Sequence, residues 1–273
     1  FGKTLNQIPL RWISGRLKQR IESRSKGREK LGYLKGSLKI LIDSIEKFIL
    51  SNEGSEILKS FALESIESID KNSLIKCRLK SLNNNYDKFL NVDKVIFTTP
   101  TNIANKILKR NNDKIFWGIH KYFVAYCVLI ELSESLSNYY WNNIVDKDVF
   151  FCGYIEQTRL TGVNEYGGIH IGYLTKYVDI RNHKILSKDK ILNLTYETLE
   201  TLFPKKGVKE KIIKVHISIA KYAQPITDFS FKPVESFLHA DKNLFIVNMT
   251  NFYPKERSIN NAIEIGEKVI DRI

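Results

Sequence analysis

The chain has 273 residues, 43 lysines and arginines against 30 aspartates and glutamates, and a net charge of +13. With 43% hydrophobic residues it suits one large or two smaller globular domains, which excludes a disordered or fibrous chain. No apolar run approaches the about 20 residues of a membrane-spanning helix, the greasiest being the strand-sized Tyr122 to Ile130.

The positive charge favours anionic partners, but the lysines are spread along the whole chain and read as a solvated surface. Cys77, Cys127 and Cys152 lie far apart without a C-x-x-C pair, which argues against a disulfide framework or zinc knuckle. A cytoplasmic protein is expected. His120, His170, His183, His216 and His239 show no metal-ligand spacing, so no metal is expected. The chain begins at Phe1 and its only methionine is Met249, from which a longer parent chain is expected.

In chain order, apolar spacing predicts a basic-flanked helix over 10–23, ended by Lys26-Gly27. Leu31-Gly-Tyr-Leu-Lys-Gly-Ser37 feeds a second helix over 37–50, with Leu38, Leu41, Ile42, Ile45, Phe48 and Ile49 recurring at three and four. Strands are predicted over 56–61, 63–69 and 74–79, with a turn over 70–73. A buried strand lies within Val92 to Pro100 and a helix over 102–109. From Phe116 the texture becomes aromatic and alternating, with strands over 122–132, 139–145, 153–159, 169–177 and 214–222 and a turn over 161–165. A helix over 187–203 interrupts them, capped by Ser187 and followed by Pro204. The end of the chain reads as strand (243–248), connection (251–257) and a helix starting near Ser258, whose N-terminus offers amide N–H groups and a positive dipole end.

Four collinear blocks resemble the C-terminal half of flavin-containing amine oxidoreductases, the group of monoamine oxidases and protoporphyrinogen oxidases, with UDP-galactopyranose mutases as relatives. Leu31 to Ser37 is similar to the family's glycine-containing turn, and Ile57 to Ile69 to its strand pair by the adenine, with Leu63 as the contacting residue. Asp93-Lys-Val-Ile-Phe-Thr-Thr-Pro100 is similar to the strand end near the cofactor, at Thr99 and Pro100. Asn243 to Ile273 is similar to the strand and helix that close over the flavin ring. The G-x-G-x-x-G turn of the family's N-terminal dinucleotide-binding segment is absent.

The resemblance implies an α/β (α+β) fold: an incomplete Rossmann-like FAD-binding domain from 31–115 and 241–273, with an inserted substrate domain, mainly antiparallel sheet plus helices, from 1–30 and 116–240. It implies FAD as cofactor, held by Leu63, Thr99, Pro100, Arg257, Ile259, Asn260, Asn261 and Ala262, with the missing dinucleotide-binding segment as partner. Flavin carries the redox chemistry, in keeping with a sequence where no catalytic triad or carboxylate pair stands out. Glu156, Gln157, Arg159, Tyr173, Tyr177 and the stretch Tyr222 to Pro225 are the expected lining for a small, anionic substrate. The implied reaction is hydride removal from a C–N or C–C bond. The alternatives are a sugar-nucleotide mutase and, outside flavin chemistry, a basic nucleic-acid-binding module, although no nucleic-acid motif or basic-aromatic stripe is present.

Overall fold

The computed structural model describes residues 6–22, 24, 32–68, 74–109, 117–118, 120–179, 181, 184–234, 243–255 and 257–271. The chain divides into two compact units, the first from residues 1–32, 38–121 and 225–273, the second from 33–37 and 122–224. Residues 1–32 and 225–240 thus fall with the first unit, where the sequence reading groups most of them with the β-rich part.

The first unit begins with α1 (Leu10–Glu22). Trp12 is buried, roofed by the Arg16 guanidinium 4.7 Å from the ring centre. Gly15 faces the turn at Pro254 so closely that a Cβ would lie 2.6 Å from the Pro254 carbonyl oxygen, so only glycine fits. Next comes α2 (Lys39–Leu50), at the predicted place. Its apolar residues recur at three and four, yet the helix buries no residue, and Ile42, Ile45 and Phe48 are 62%, 51% and 70% exposed.

An antiparallel sheet follows, with β1 (Phe61–Ser68), β2 (Ile75–Ser81) and β3 (Asp87–Val92) in that order. Residues 56–60, predicted as strand, are turn and coil, and β3 lies where the sequence reads as a polar lead-in. Asp87 begins that strand because its carboxylate accepts from Arg78 Nη2 at 2.6 Å on the neighbouring one. Propensity underrates such a pairing. The predicted turn over 70–73 and residue Leu31 lie outside the described residues.

Two parallel strands then meet across a long sequence separation: β4 (Val95–Phe97) and β10 (Leu244–Ile246) pair residue for residue, Leu244 opposite Val95 and Ile246 opposite Phe97. A helix follows each, α3 (Thr101–Lys109) after β4 and α7 (Ile259–Ile270) after β10. Ile66, Ile75, Phe97, Ala104, Leu108, Trp117, Leu244 and Ile246 make one buried cluster that joins these strands, α3 and the antiparallel sheet. Trp117 is fixed by Asn105, whose Oδ1 accepts from the Trp117 amide at 3.1 Å and whose Nδ2 donates to its carbonyl. At the borders of the second unit's main segment, the Ile226 amide donates to the Lys121 carbonyl at 2.8 Å.

The second unit is a five-stranded sheet in the order β6 (Trp141–Asn143), β7 (Gly153–Glu156), β8 (His170–Asp179), β5 (Tyr122–Leu132) and β9 (Ile212–Pro225). The β6–β7, β7–β8 and β8–β5 pairs are antiparallel, as the alternating pattern predicts. On one face Val124, Tyr126, Val128, Ile130 and Leu132 of β5 are buried with Ile191 and Leu199 of α5 (Lys188–Leu202). Ser187 caps that helix by accepting from the Lys190 amide, as predicted. Two short helices, α4 (Thr158–Thr161) and α6 (Val208–Lys211), and a 3-10 turn at Asn164–Tyr166 were not anticipated; the last occupies the predicted turn region. Among the described residues no helix is long and apolar enough to cross a membrane.

Candidate functional site

The carboxyl ends of two adjacent parallel strands make a candidate site in the first unit, the place where open α/β sheets present ligands. Strand β4 ends at Phe97 and runs through Thr99 and Pro100 into α3, whose first turn is bonded back to the Pro100 carbonyl by the amides of Ile103 (2.8 Å) and Ala104 (3.2 Å). Strand β10 ends at Ile246, and the chain passes through Asn248, a 3-10 turn at Met249–Phe252 and a cis Tyr253–Pro254 bond to Ser258.

Asn248 ties the two exits together. Its Nδ2 donates to the Thr99 carbonyl at 2.9 Å and to Thr101 Oγ1 at 3.3 Å. Its Oδ1 accepts from the Thr250 amide at 2.9 Å and from Thr250 Oγ1 at 2.7 Å, while its own amide donates to Asn251 Oδ1 at 2.7 Å. Every polar atom of this buried side chain is paired, so both turns are held in one geometry. The sequence reading passed over Asn248 as the last residue of a strand; an asparagine directly after a buried apolar run is the signal that marks it.

The residues expected to hold a cofactor all lie in this unit. Thr99 sits at the β4 exit, its Oγ1 buried with no hydrogen-bond partner among the described residues. Pro100 starts the α3 turn. Ser258 caps α7 by accepting from the Asn261 amide at 3.2 Å through Oγ and from the Ala262 amide at 3.0 Å through its carbonyl. Arg257, Ile259, Asn260 and Ala262 are exposed around that helix start and Asn261 is buried. Leu63 lies on β1, half-buried against the core cluster rather than at the strand exits.

Of the residues expected to meet substrate, all but Pro225 lie in the second unit, and they separate by face. Glu156 is fully buried. Its Oε2 accepts from Tyr154 Oη at 2.7 Å and from the Ser137 amide at 3.1 Å, and its Oε1 lies 3.9 Å from His170 Nδ1. Arg159 holds the same loop, donating from Nε to the Ser137 carbonyl at 2.7 Å and from Nη2 to Ser135 Oγ at 2.8 Å. Burial, and then the Glu156 carboxylate, push the Tyr154 phenol far above its ordinary value. Gln157 follows in the turn after β7, where its carbonyl accepts from the Leu160 amide at 2.9 Å.

Strand alternation gives the other face to Leu129, Tyr173, Ile155 and Trp141, which stand opposite one another across β5, β8, β7 and β6. Trp141 is 54% exposed. The Tyr173 phenol is raised by burial first and then by Tyr166. Tyr177 is exposed four residues along β8, and Tyr222 stacks edge-on against Tyr122 with ring centres 5.4 Å apart. Among the described residues no cluster of three metal-ligating side chains occurs.

An oxidoreductase from Methanosarcina mazei superposes with a TM-score of 0.62 at 15% identity, over 87% of this chain and 55% of that one. The chain has that protein's fold. Reduced UDP-galactopyranose mutase (TM-score 0.55, 13% identity, 82% of this chain and 50% of that one) and a Pyrococcus furiosus protein (0.51, 13%, 86% and 52%) share it as well. The chain therefore spans about half the length of each of these structures. No family model matches the sequence, and no curated protein does.

Proposed function

We propose that the chain is part of an FAD-dependent oxidoreductase, of the amine-oxidase-like kind, that removes hydride from a C–N or C–C bond of a small, anionic substrate. One observation carries this reading: Asn248 fixes two parallel strand exits side by side, one carrying Thr99, whose buried hydroxyl has no partner among the described residues, and the other leading on to a 12-residue helix. That edge fits a cofactor of this type, which needs hydrogen bonds from rigid backbone and a positive end near its electron-accepting ring. When bound, flavin supplies the hydride acceptor.

The chain's own residues do the rest. Ser258 takes the Asn261 and Ala262 amides, which leaves the amides of Ile259 and Asn260 at the helix start to receive a ligand oxygen or nitrogen. Arg257 adds positive charge beside them, Thr99 and Pro100 hold the facing turn, and Leu63 gives an apolar contact for the adenine. In the second unit Tyr173 and Tyr222 are assigned to substrate, while Glu156 and Arg159 hold the 135–142 loop that borders it. The pyrophosphate is assigned to a dinucleotide-binding segment supplied from outside these 273 residues, since no glycine-rich phosphate turn occurs within them.

The test is flavin stoichiometry and visible absorbance of the chain alone and of the chain joined to, or mixed with, such a segment. A yellow stoichiometric complex is expected only with the segment present. Tight FAD binding by the 273 residues alone, or none in either case, contradicts the assignment. With the complex in hand, Asn261→Pro should shift the flavin reduction potential more than the unfolding midpoint.

A second reading is favoured by the likeness to reduced UDP-galactopyranose mutase together with the net charge of +13. Here reduced flavin serves a sugar-nucleotide rearrangement with no net redox change. Turnover of a sugar nucleotide without consumption of an electron acceptor distinguishes it from the first.

A further inference from the structure

Helix α2 leaves its whole apolar stripe uncovered. It buries no residue, and Leu38 at its N-cap, Ile42, Ile45 and Ile49 are all exposed. A 12-residue helix is marginal by itself in water, because most helical stability in proteins comes from packing an apolar face against something. These four residues are spaced by four, three and four, which is the spacing of a coiled-coil seam. The helix thus carries the surface of a packed element without the packing.

The stripe also matches itself. Its spacing reads the same in both directions about the midpoint between Asp43 and Ser44, so two copies laid antiparallel on a two-fold axis set Leu38 against the partner's Ile49 and Ile42 against the partner's Ile45. The flanks agree with this pairing. On one side of the seam Lys39 comes beside the partner's Glu46, and on the other Leu41 comes beside the partner's Phe48, each match being repeated by symmetry. A parallel pairing instead sets Glu46 beside the partner's Leu41 and leaves the charges unmatched. Within its own chain Lys39 Nζ donates to Asp43 Oδ1 at 2.6 Å and Glu46 is paired with Lys59, both on the surface, where such pairs are weak and exchange readily.

We infer that α2 is a self-association surface: two copies of this chain pair antiparallel through Leu38, Ile42, Ile45 and Ile49, with Lys39 and Glu46 fixing the orientation. The seam is about three turns long, which puts it at the low end of specific interfaces, below about 1,200 Å² in all, and the dimer forms at micromolar concentration. It needs neither flavin nor the outside segment and so goes beyond the reading given above. That segment is the competing occupant of the stripe.

The measurement is sedimentation equilibrium of the purified chain from about 1 to about 200 µM, with hydrogen exchange of the α2 amides at both ends of that range. Dimer should appear as concentration rises, and α2 should become protected with it. Ile42→Glu with Ile45→Glu should raise the dissociation constant by about 100-fold or more. Exchange of β2 and β5 should stay as in the parent, because neither isoleucine is buried. Lys39→Glu and Glu46→Lys should each weaken self-association by about tenfold, since each brings like charges together twice. Mixing those two variants should give a mixed dimer with close to the parent's affinity, because each supplies the charge that the other lacks. The pairs lost to Asp43 or Lys59 within a chain are lost in the mixture too, so only contact between copies explains that rescue. A chain that stays monomeric throughout the range, an undiminished dimer in the double isoleucine variant, or no preference for the mixed dimer would each overturn the proposal. So would a monomer whose α2 becomes protected only when the outside segment is added.

Discussion

The side-chain amide of Asn248 donates to the carbonyl of Thr99 at 2.9 Å across 149 positions of sequence, and the two residues stand at the exits of paired parallel strands. One side chain therefore sets the spacing of two helix-leading turns. Asn248→Ala removes two donated and two accepted bonds from a buried place and should lower stability by about 2–4 kcal/mol in urea unfolding. Asn248→Asp keeps the acceptor for Thr250 but opposes the Thr99 carbonyl with a carboxylate, so it should be rescued in part at low pH, where the aspartate is neutral.

Gly15→Ala is the sharpest test of how α1 is seated. The added Cβ would lie 2.6 Å from the Pro254 carbonyl oxygen, a backbone atom that cannot swing aside. A loss of about 1–3 kcal/mol is expected despite alanine's better helix propensity, with faster hydrogen exchange throughout α1. No change, or a gain, would show that α1 does not rest on that turn.

Tyr154 links alkaline stability to the buried loop contact in the second unit. Its phenol is raised from 10.0 by burial and by Glu156, so the folded state holds the proton more tightly than the unfolded one. The stabilisation is complete below pH 10 and is lost as pH rises further. Tyr154→Phe should be less stable than the parent by about 1–3 kcal/mol at pH 7, because Glu156 loses a donor, and should show a flatter decline above pH 10.

Glu264 offers the opposite sign. Lys255 and Lys268 hold its carboxylate down from 4.5 to about 2 through hydrogen bonds and charge. The contribution is present above pH 4.5 and disappears as pH falls towards 2. A carboxyl-detected NMR titration should find its midpoint near 2 at low salt and higher in concentrated salt, which screens an exposed triad. A midpoint near 4.5 at low salt would count against the arrangement.

Much of this architecture is legible without coordinates because it is written locally. The serine cap and apolar period of α5, the alternation of β5 and β8, and the strand, turn and helix of the C-terminus are each set by neighbours in sequence. What escapes is set by distant partners. Asp87 enters a strand through Arg78, Glu156 is drawn into the interior by Tyr154 and Ser137, and Asn248 acquires its role from Thr99. For α2 the helix is read correctly, and Ile42, Ile45 and Phe48 keep the spacing of a buried stripe while remaining exposed. The residues proposed for a cofactor at the α7 start follow from a family likeness and a capping serine.

The bond between the Ile226 amide and the Lys121 carbonyl has an architectural consequence. The chain leaves the first unit and returns to it at two points already joined by a hydrogen bond, so residues 122–224 behave as a cassette. Excising them and rejoining the ends through a turn of about 2–5 residues, the length of a tight hairpin loop, should leave the parallel pair of β4 and β10 undisturbed. The same junction could accept a different β-rich insert, with the Gly36 amide, which meets the Glu165 carboxylate at 3.4 Å, as the contact such a replacement must supply anew.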